Sequence, residues 1–311
     1  VRGARTYVLA AVLLVAAAAL TIGGVGDAGG FPDWQAFVLG VVQGMTELLP
    51  ISSSGHLVLV PWLGDWRFLE EHDAFNQTFD VALHLGTALA VVGYFARELG
   101  RLVLAWFGTV GKRRVETVDE RLAWIVLVAT IPAGVAGLAL EDVIAEKLGE
   151  PWQIAILLAV FGVLLWVVDR RPATREPHEL SLREGFGVGV AQALALMPGV
   201  SRSGITITAG RYLGLDRDSA ARLSFLLLVP TVLGAVLLKG VKDVVFGDLP
   251  AGWKGPFAVG VLAAFGTGLL AIQLLLGYVR RHTYDVFVVY RLIAAAIIVL
   301  LILTGVRDAT F

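Results

Sequence analysis

No cysteine occurs in the 311 residues, which excludes disulfides, thiolate metal sites and cysteine nucleophiles and leaves the compartment open. Charge is also scarce. Asp, Glu, Lys and Arg make up 16% of the chain, against roughly 25% in a soluble domain, too little to cover a water-facing surface. The net charge of −1 gives no positive field for a nucleic-acid partner. Missing too is the short polar/apolar alternation of a membrane barrel. What the sequence has instead is long apolar runs, and 57% of it is hydrophobic. In lipid the backbone must satisfy its own hydrogen bonds, so the chain reads as an all-α polytopic membrane protein. Its 36 glycines suit close helix packing in a bilayer.

The apolar runs come in two lengths. Tyr7 to Gly24, Phe79 to Phe95, Leu122 to Leu140, Trp152 to Val168, Ala220 to Leu238, Pro256 to Val279 and Val286 to Leu303 approach or reach the roughly 20 residues of a spanning helix. The first, behind Arg2 and Arg5, reads as a retained helix with its N-terminus inside, a signal-like segment being the alternative; residues 1–30 are set apart as a hydrophobic extension. Trp34 to Leu49, Gly55 to Leu63, Gly185 to Met197 and Ile205 to Leu213 are too short to span. They pair around polar turns as two re-entrant hairpins, 34–63 and 184–213, which membrane depth tolerates only when protein or a water-filled cavity encloses them. Arg97, Arg101, Lys112, Arg113, Arg114 and Arg121 crowd one loop expected in the cytoplasm, and Arg170, Arg171, Arg175 and Arg183 another, with Arg280, Arg281 and His282 in a third. The loop bearing Glu141, Asp142, Glu146 and Glu150 is expected outside. Two repeats follow, 31–170 and 171–311, each a re-entrant hairpin plus three spans. Three is odd, so the second repeat is inverted, and the hairpin tips are expected to meet near the midplane.

Those tips carry the polar chemistry. Gln43 to His56, QGMTELLPISSSGH, is echoed 149 positions later by Gln192 to Gly204, QALALMPGVSRSG, so that Ser52, Ser54 and Gly55 align with Ser201, Ser203 and Gly204. Glu47 sits in an apolar helix end, where an ionisable side chain costs roughly 2.5–3.5 kcal/mol and reads as functional by default. Gln43 lies four residues earlier on the same face, so the two can share one ligand, one metal-bound water, or each other. Ser52, Ser53 and Ser54 read as a cap for the second half-helix and equally as a phosphate cradle. His56 is expected beside these hydroxyls and Glu47, as an acid/base group requires. Arg202, between Ser201 and Ser203, needs an anion at that depth, and a phosphate takes its forked donors in pairs; Thr206 adds a hydroxyl one turn on. Asp80, His84 and Arg291 are also within apolar runs and read equally as site or pairing residues.

The motifs [Glu/Gln]-Gly-x-Thr-Glu-x-x-Pro-x-Ser-Ser-x-Gly-His, at Gln43 to His56, and Pro-Gly-x-Ser-Arg-Ser-Gly-x-Thr, at Pro198 to Thr206, resemble those of the undecaprenyl-diphosphatase family, the bacitracin-resistance phosphatases. FDVALHLGT, Phe79 to Thr87, resembles the family's next helix, and the likeness runs from about Asp33 to Thr304. The resemblance implies a bacterial inner-membrane hydrolase of a C55 polyprenyl diphosphate that leaves the monophosphate carrier for cell-wall synthesis, with bacitracin competing by binding the substrate. It implies two inverted repeats and a site opening to the outer face, and residues 1 to about 30 look like an extension that most members lack. Glu47, His56 and Arg202 inherit the catalytic roles, with Ser53, Ser201 and Thr206 around the diphosphate. A divalent cation, Mg2+ or Ca2+, is implied as activator, through Glu47 and weakly Gln43. Many members have Glu where this chain has Gln43, which favours a cation arriving with the diphosphate. A homodimer is left open.

The expected chemistry is in-line displacement at the terminal phosphorus, with Arg202 and the serine-capped N–H groups on the phosphoryl oxygens and Glu47 positioning a metal ion or the attacking group. His56 moves a proton or attacks; Ser53 is an alternative nucleophile. The rival class is an inverted-repeat transporter or flippase of a phosphorylated lipid or anion. A second membrane-phosphatase class, whose SGH motif resembles Ser54-Gly55-His56, needs a further histidine about a dozen residues after its arginine, and none lies between Arg202 and His282.

Overall fold

The computed structural model describes residues 2–23, 31–140, 147–237 and 252–310. Within them lie twelve α-helices, seven of which are long and apolar enough to cross a membrane. The seven are α1 (Arg2–Gly23), α5 (Asp73–Lys112), α6 (Val118–Ala139), α7 (Pro151–Asp169), α10 (Arg217–Ala235), α11 (Lys254–Val279) and α12 (Asp285–Leu303). They fall on the seven long apolar runs of the sequence. The short runs form two pairs, α2 (Asp33–Leu48) with α3 (Ser53–Gly64), and α8 (Leu182–Ala193) with α9 (Arg202–Tyr212). A five-residue helix, α4 (Arg67–Glu71), leads into α5.

The starts of the helices are written in capping side chains. Thr117 accepts from the Glu120 amide at 3.2 Å while Glu120 accepts back from Thr117 at 3.0 Å, and Ser181 with Glu184 repeats this reciprocal box at the head of α8. The breaks inside the pairs follow from proline. Leu49 before Pro50 and Met197 before Pro198 are extended, because the proline ring disfavours helical backbone at the preceding residue.

Packing crosses between the halves of the chain in matched fashion. The first short helix of each half lies on the middle long helix of the other half, α2 on α11 and α8 on α6. Each contact requires glycine: a Cβ on Gly40 would stand 2.4 Å from the Gly260 carbonyl oxygen, and one on Gly189 would stand 2.3 Å from that of Ala129. These two glycines are 149 positions apart, the same offset as the motifs. Likewise α5 packs on α10, and α7 on α12. The extra helix α1 packs on α11, with Ala10 and Ala17 fully buried.

One expectation changes. The basic residues from Arg97 to Lys112 lie on a continuation of α5, not in a loop; the segment carries no proline, and the only break in the 40-residue helix is a kink at Phe95 (φ −101°, ψ 16°). Arg175 stays in its loop and is tied down there: its guanidinium bonds Glu184 at 2.9 Å and the Leu213 carbonyl at 2.8 Å, fastening the start of α8 to the end of α9. Of the acidic loop, Glu141, Asp142 and Glu146 lie outside the described residues.

Candidate active site

Where the two broken pairs meet, their turns are stitched to each other. Ser52 and Ser201 occupy equivalent places as helix caps, and both hold the left-handed backbone that a non-glycine residue rarely adopts, at φ 77° and 75°. Ser52 Oγ accepts from the amide of Gly55 at 3.4 Å, and Ser201 Oγ from that of Gly204 at 3.1 Å. The same Ser52 oxygen also accepts from the Gly199 amide across the junction at 3.1 Å, and Ser203 Oγ donates back to the Leu49 carbonyl at 2.9 Å. Ser52, Ser201 and Ser203 are therefore spent on holding the turns; they are buried at 2% exposure or less and line no cavity among those found beside them.

Polar side chains from three elements converge on Glu47, which is 3% exposed. Its Oε1 accepts from Arg202 Nε at 2.9 Å. Its Oε2 accepts from the Ser53 hydroxyl, from Gln43 Nε2 at 3.4 Å and from His84 Nε2 at 3.4 Å. A cavity of about 270 Å³ opens beside them, lined among others by Glu47, Ser53, Ser54, Asp80, His84, Gln192 and Arg202. The guanidinium of Arg202 is divided. Its Nε serves Glu47 and its Nη1 the Ser224 carbonyl at 2.8 Å, while the buried Nη2 has no partner among the described residues. The full fork expected for a phosphate is thus not free; one nitrogen is. Thr206 does not reach the cavity wall but bonds Ser224 Oγ at 2.8 Å, behind Arg202.

His56 is elsewhere. Its Nδ1–H donates to the Ser52 carbonyl at 2.6 Å, so its Nε2 accepts from the Tyr290 hydroxyl at 2.6 Å, and the two rings stack. The expectation that His56 stands beside Glu47 is corrected on this point: α3 begins at Ser53, and its fourth residue turns toward α12 instead of the cavity. The imidazole beside Glu47 belongs to His84. Position 56 buttresses the serine turn, so His56→Asn is expected to lower turnover by about 10-fold or less and to leave the shape of the pH–rate profile unchanged. A loss in the 10²–10⁴-fold range of an acid/base group would return His56 to the chemistry.

The family model described as bacitracin resistance protein BacA matches residues 36–297. The chain belongs to the BacA family. It is 48% identical over 283 residues to the undecaprenyl-diphosphatase of Thermomicrobium roseum, covering 88% of this chain and 99% of the relative. Against that of Gemmatimonas aurantiaca it is 47% identical over 266 residues, 85% of this chain and 96% of the relative. Undecaprenyl-diphosphatase 2 of Stutzerimonas stutzeri is 44% identical over 273 residues, at 86% and 97% coverage. Helix α1 lies before the stretch that the BacA model matches.

In this BacA-family site the donor set does not fit a resident Mg2+ or Ca2+. Such ions take oxygen ligands in sixfold or higher coordination, whereas both Glu47 oxygens already accept from nitrogen or hydroxyl donors, and among the described residues no cluster of three His, Asp or Glu is placed to hold a metal. Two members of the constellation leave fainter signals in the sequence. His84 has a signal, a histidine one turn after Asp80 in an apolar run. Gln192 has another, its alignment with Gln43; its Nε2 bonds Thr231 at 3.2 Å and its Oε1 is buried at the cavity wall with no partner among the described residues.

Proposed function

We infer that the chain is an integral-membrane undecaprenyl-diphosphatase, releasing phosphate from the C55 diphosphate and leaving the lipid monophosphate. The observation that carries this is a hydroxyl–carboxylate–guanidinium relay in one cavity: Ser53 donates to Glu47, and Glu47 is held by Arg202. That relay has the parts of phosphoryl transfer, namely an attacking oxygen beside a base and a positive donor for the phosphoryl oxygens. The attacking oxygen, of Ser53 or of a water held there, bonds to the terminal phosphorus as the bond to the bridging oxygen breaks, and its proton passes to Glu47. The bridging oxygen leaves with the lipid monophosphate. Where Ser53 attacks, a water then displaces it from phosphorus in a second in-line step. Arg202 Nη2, the unpartnered buried donor, faces the developing charge.

We read the two halves as inverted repeats. The matched packing of α2 on α11 and α8 on α6, with Gly40 and Gly189 at one sequence offset, supports the repeat, and the count of three long helices between the pairs supports the inversion. With the arginine-rich ends inside, the cavity-lining residues Asp80 and Val81 sit near the outer start of α5, while Ala133, Thr231, Val232 and Ala235 sit in the outer halves of α6 and α10. The reading is therefore a site open to the outer leaflet. The divalent cation travels with the diphosphate, which keeps most of its water and asks little of the protein.

Phosphate release by purified protein in detergent tests the assignment. C55 diphosphate is expected to be hydrolysed, EDTA to stop turnover and added Mg2+ or Ca2+ to restore it, while the dialysed protein holds less than one metal ion per chain. A transporter or flippase would release no phosphate, and a stoichiometric metal retained through dialysis would overturn the substrate-borne cation.

A further inference from the structure

Helix α1 stands outside the BacA match, and its packing creates a second cavity, of about 420 Å³, that shares no lining residue with the first. Its walls are Arg5, Thr6 and Leu9 of α1 on one side and Gly93, Tyr94, Ala96 and Arg97 of α5 on the other. The α5 wall is where that helix kinks, at Phe95, between Tyr94 and Ala96. The floor is α11: Leu269 lines the cavity, and Gln273 accepts from the Tyr94 hydroxyl at 3.2 Å. Among the described residues Arg5 and Arg97 make neither an ion pair nor a hydrogen bond, although six other arginines of this chain pair with carboxylates at 2.9 Å or less.

Three features bear on what two unpaired guanidinium groups on one cavity would take. The first is charge. A phosphodiester presents the planar oxygen pair that the guanidinium fork matches. The second is depth. α5 enters from the outer side, so its kink at Phe95, some fifteen residues beyond Asp80, lies at the inner surface of the bilayer, where anionic lipids concentrate and attract basic side chains. The third is shape. An adjoining hollow shares Arg5 and Leu9 and continues over Val8 and Val12, one turn after another down α1 into the membrane. A polar head with an apolar track below it suits a lipid, and a soluble phosphate would have no use for the track.

We propose that the cleft between α1 and α5 is a binding site for the phosphodiester headgroup of an anionic phospholipid of the inner leaflet, gripped by Arg5 and Arg97, with an acyl chain lying along Leu9, Val8 and Val12. The site couples the added helix to the family core through a lipid and is separate from the hydrolytic cavity, which opens on the other leaflet.

Native mass spectrometry of the full chain released from nanodiscs tests this, with phosphatidylglycerol and phosphatidylcholine as the two probes. The wild type is expected to retain one phosphatidylglycerol at least 10-fold more readily than phosphatidylcholine. The double variant R5A/R97A is expected to lose that preference while hydrolysing C55 diphosphate at the wild-type rate in detergent, which shows that it is folded. Gly93→Leu is the second variant. A Cβ there meets only the edge of the Phe265 ring, at 4.0 Å, so leucine fills the cleft with both arginines in place, and retention is again expected to fall. Preference surviving in both variants, or absent from the wild type, overturns the site. Displacement of the lipid by millimolar inorganic phosphate would reduce it to a plain anion site and overturn the lipid assignment.

Discussion

Arg202→Lys is expected to cut phosphate release about 100- to 1000-fold, the range found when a preorganised donor to a developing oxyanion is removed, with KM changed far less than kcat. The charge survives this substitution, so charge alone is not what the experiment removes. The guanidinium does three things at three nitrogens: Nε holds Glu47 at 2.9 Å, Nη1 holds the Ser224 carbonyl at 2.8 Å, and Nη2 is left over, buried and unpartnered. The first two bonds aim the third. A lysine ammonium is a single point with rotatable protons and must choose among the three. If it goes to Glu47, the phosphoryl oxygens lose their donor. If it turns to the substrate, Glu47 is a buried carboxylate whose strongest partner has left, poorly held against Ser53. Near-normal turnover in the lysine variant would sink the relay as drawn, because it would mean that neither the aim nor the spare nitrogen matters.

How much of this could be read beforehand depends on what kind of signal each feature leaves. The seven long helices and the two broken pairs are legible because apolar length and a proline are properties of the chain alone, and each sits where the sequence places it. Glu47, Ser53 and Arg202 are legible for a related reason: a polar residue in an apolar stretch is costly wherever the fold sends it. Direction is different. The motif spacing places His56 at the relay, yet its ring points at Tyr290, since the rotation of α3 about its axis is fixed by the turn at Ser52, whose φ of 77° no spacing rule anticipates. The division of the Arg202 fork is hidden for the same reason. One of its partners, the Ser224 carbonyl, is backbone, and every residue has a carbonyl.

That limit is sharpest at Arg291, and there the second large effect is expected: Arg291→Met should lower stability by about 3–5 kcal/mol, the usual toll of breaking a buried charged network, and turnover by about 100-fold. Arg291 is fully buried, and among the described residues it has no carboxylate partner. Its guanidinium donates instead to five backbone carbonyls. Pro50 belongs to the first turn, Gly199 and Val200 to the second, and Leu157 and Leu158 to α7, at distances of 2.9 to 3.3 Å. One side chain thus clamps both serine turns against one long helix. Methionine fills much of the volume but leaves those carbonyls in a dry interior with nothing to accept. The turns carry Ser53 and Arg202, and a shift of 1 Å between reacting groups can cost 10² in rate, so the loss should fall on kcat more than on KM. Arg291→Lys keeps a positive charge that reaches one turn but not both, and an intermediate activity is expected of it. The thermal midpoint in detergent and phosphate release are the paired measurements. A lowered midpoint with wild-type turnover would reduce Arg291 to packing, whereas parallel loss in both, partly restored by lysine, is what a clamp on the two turns requires.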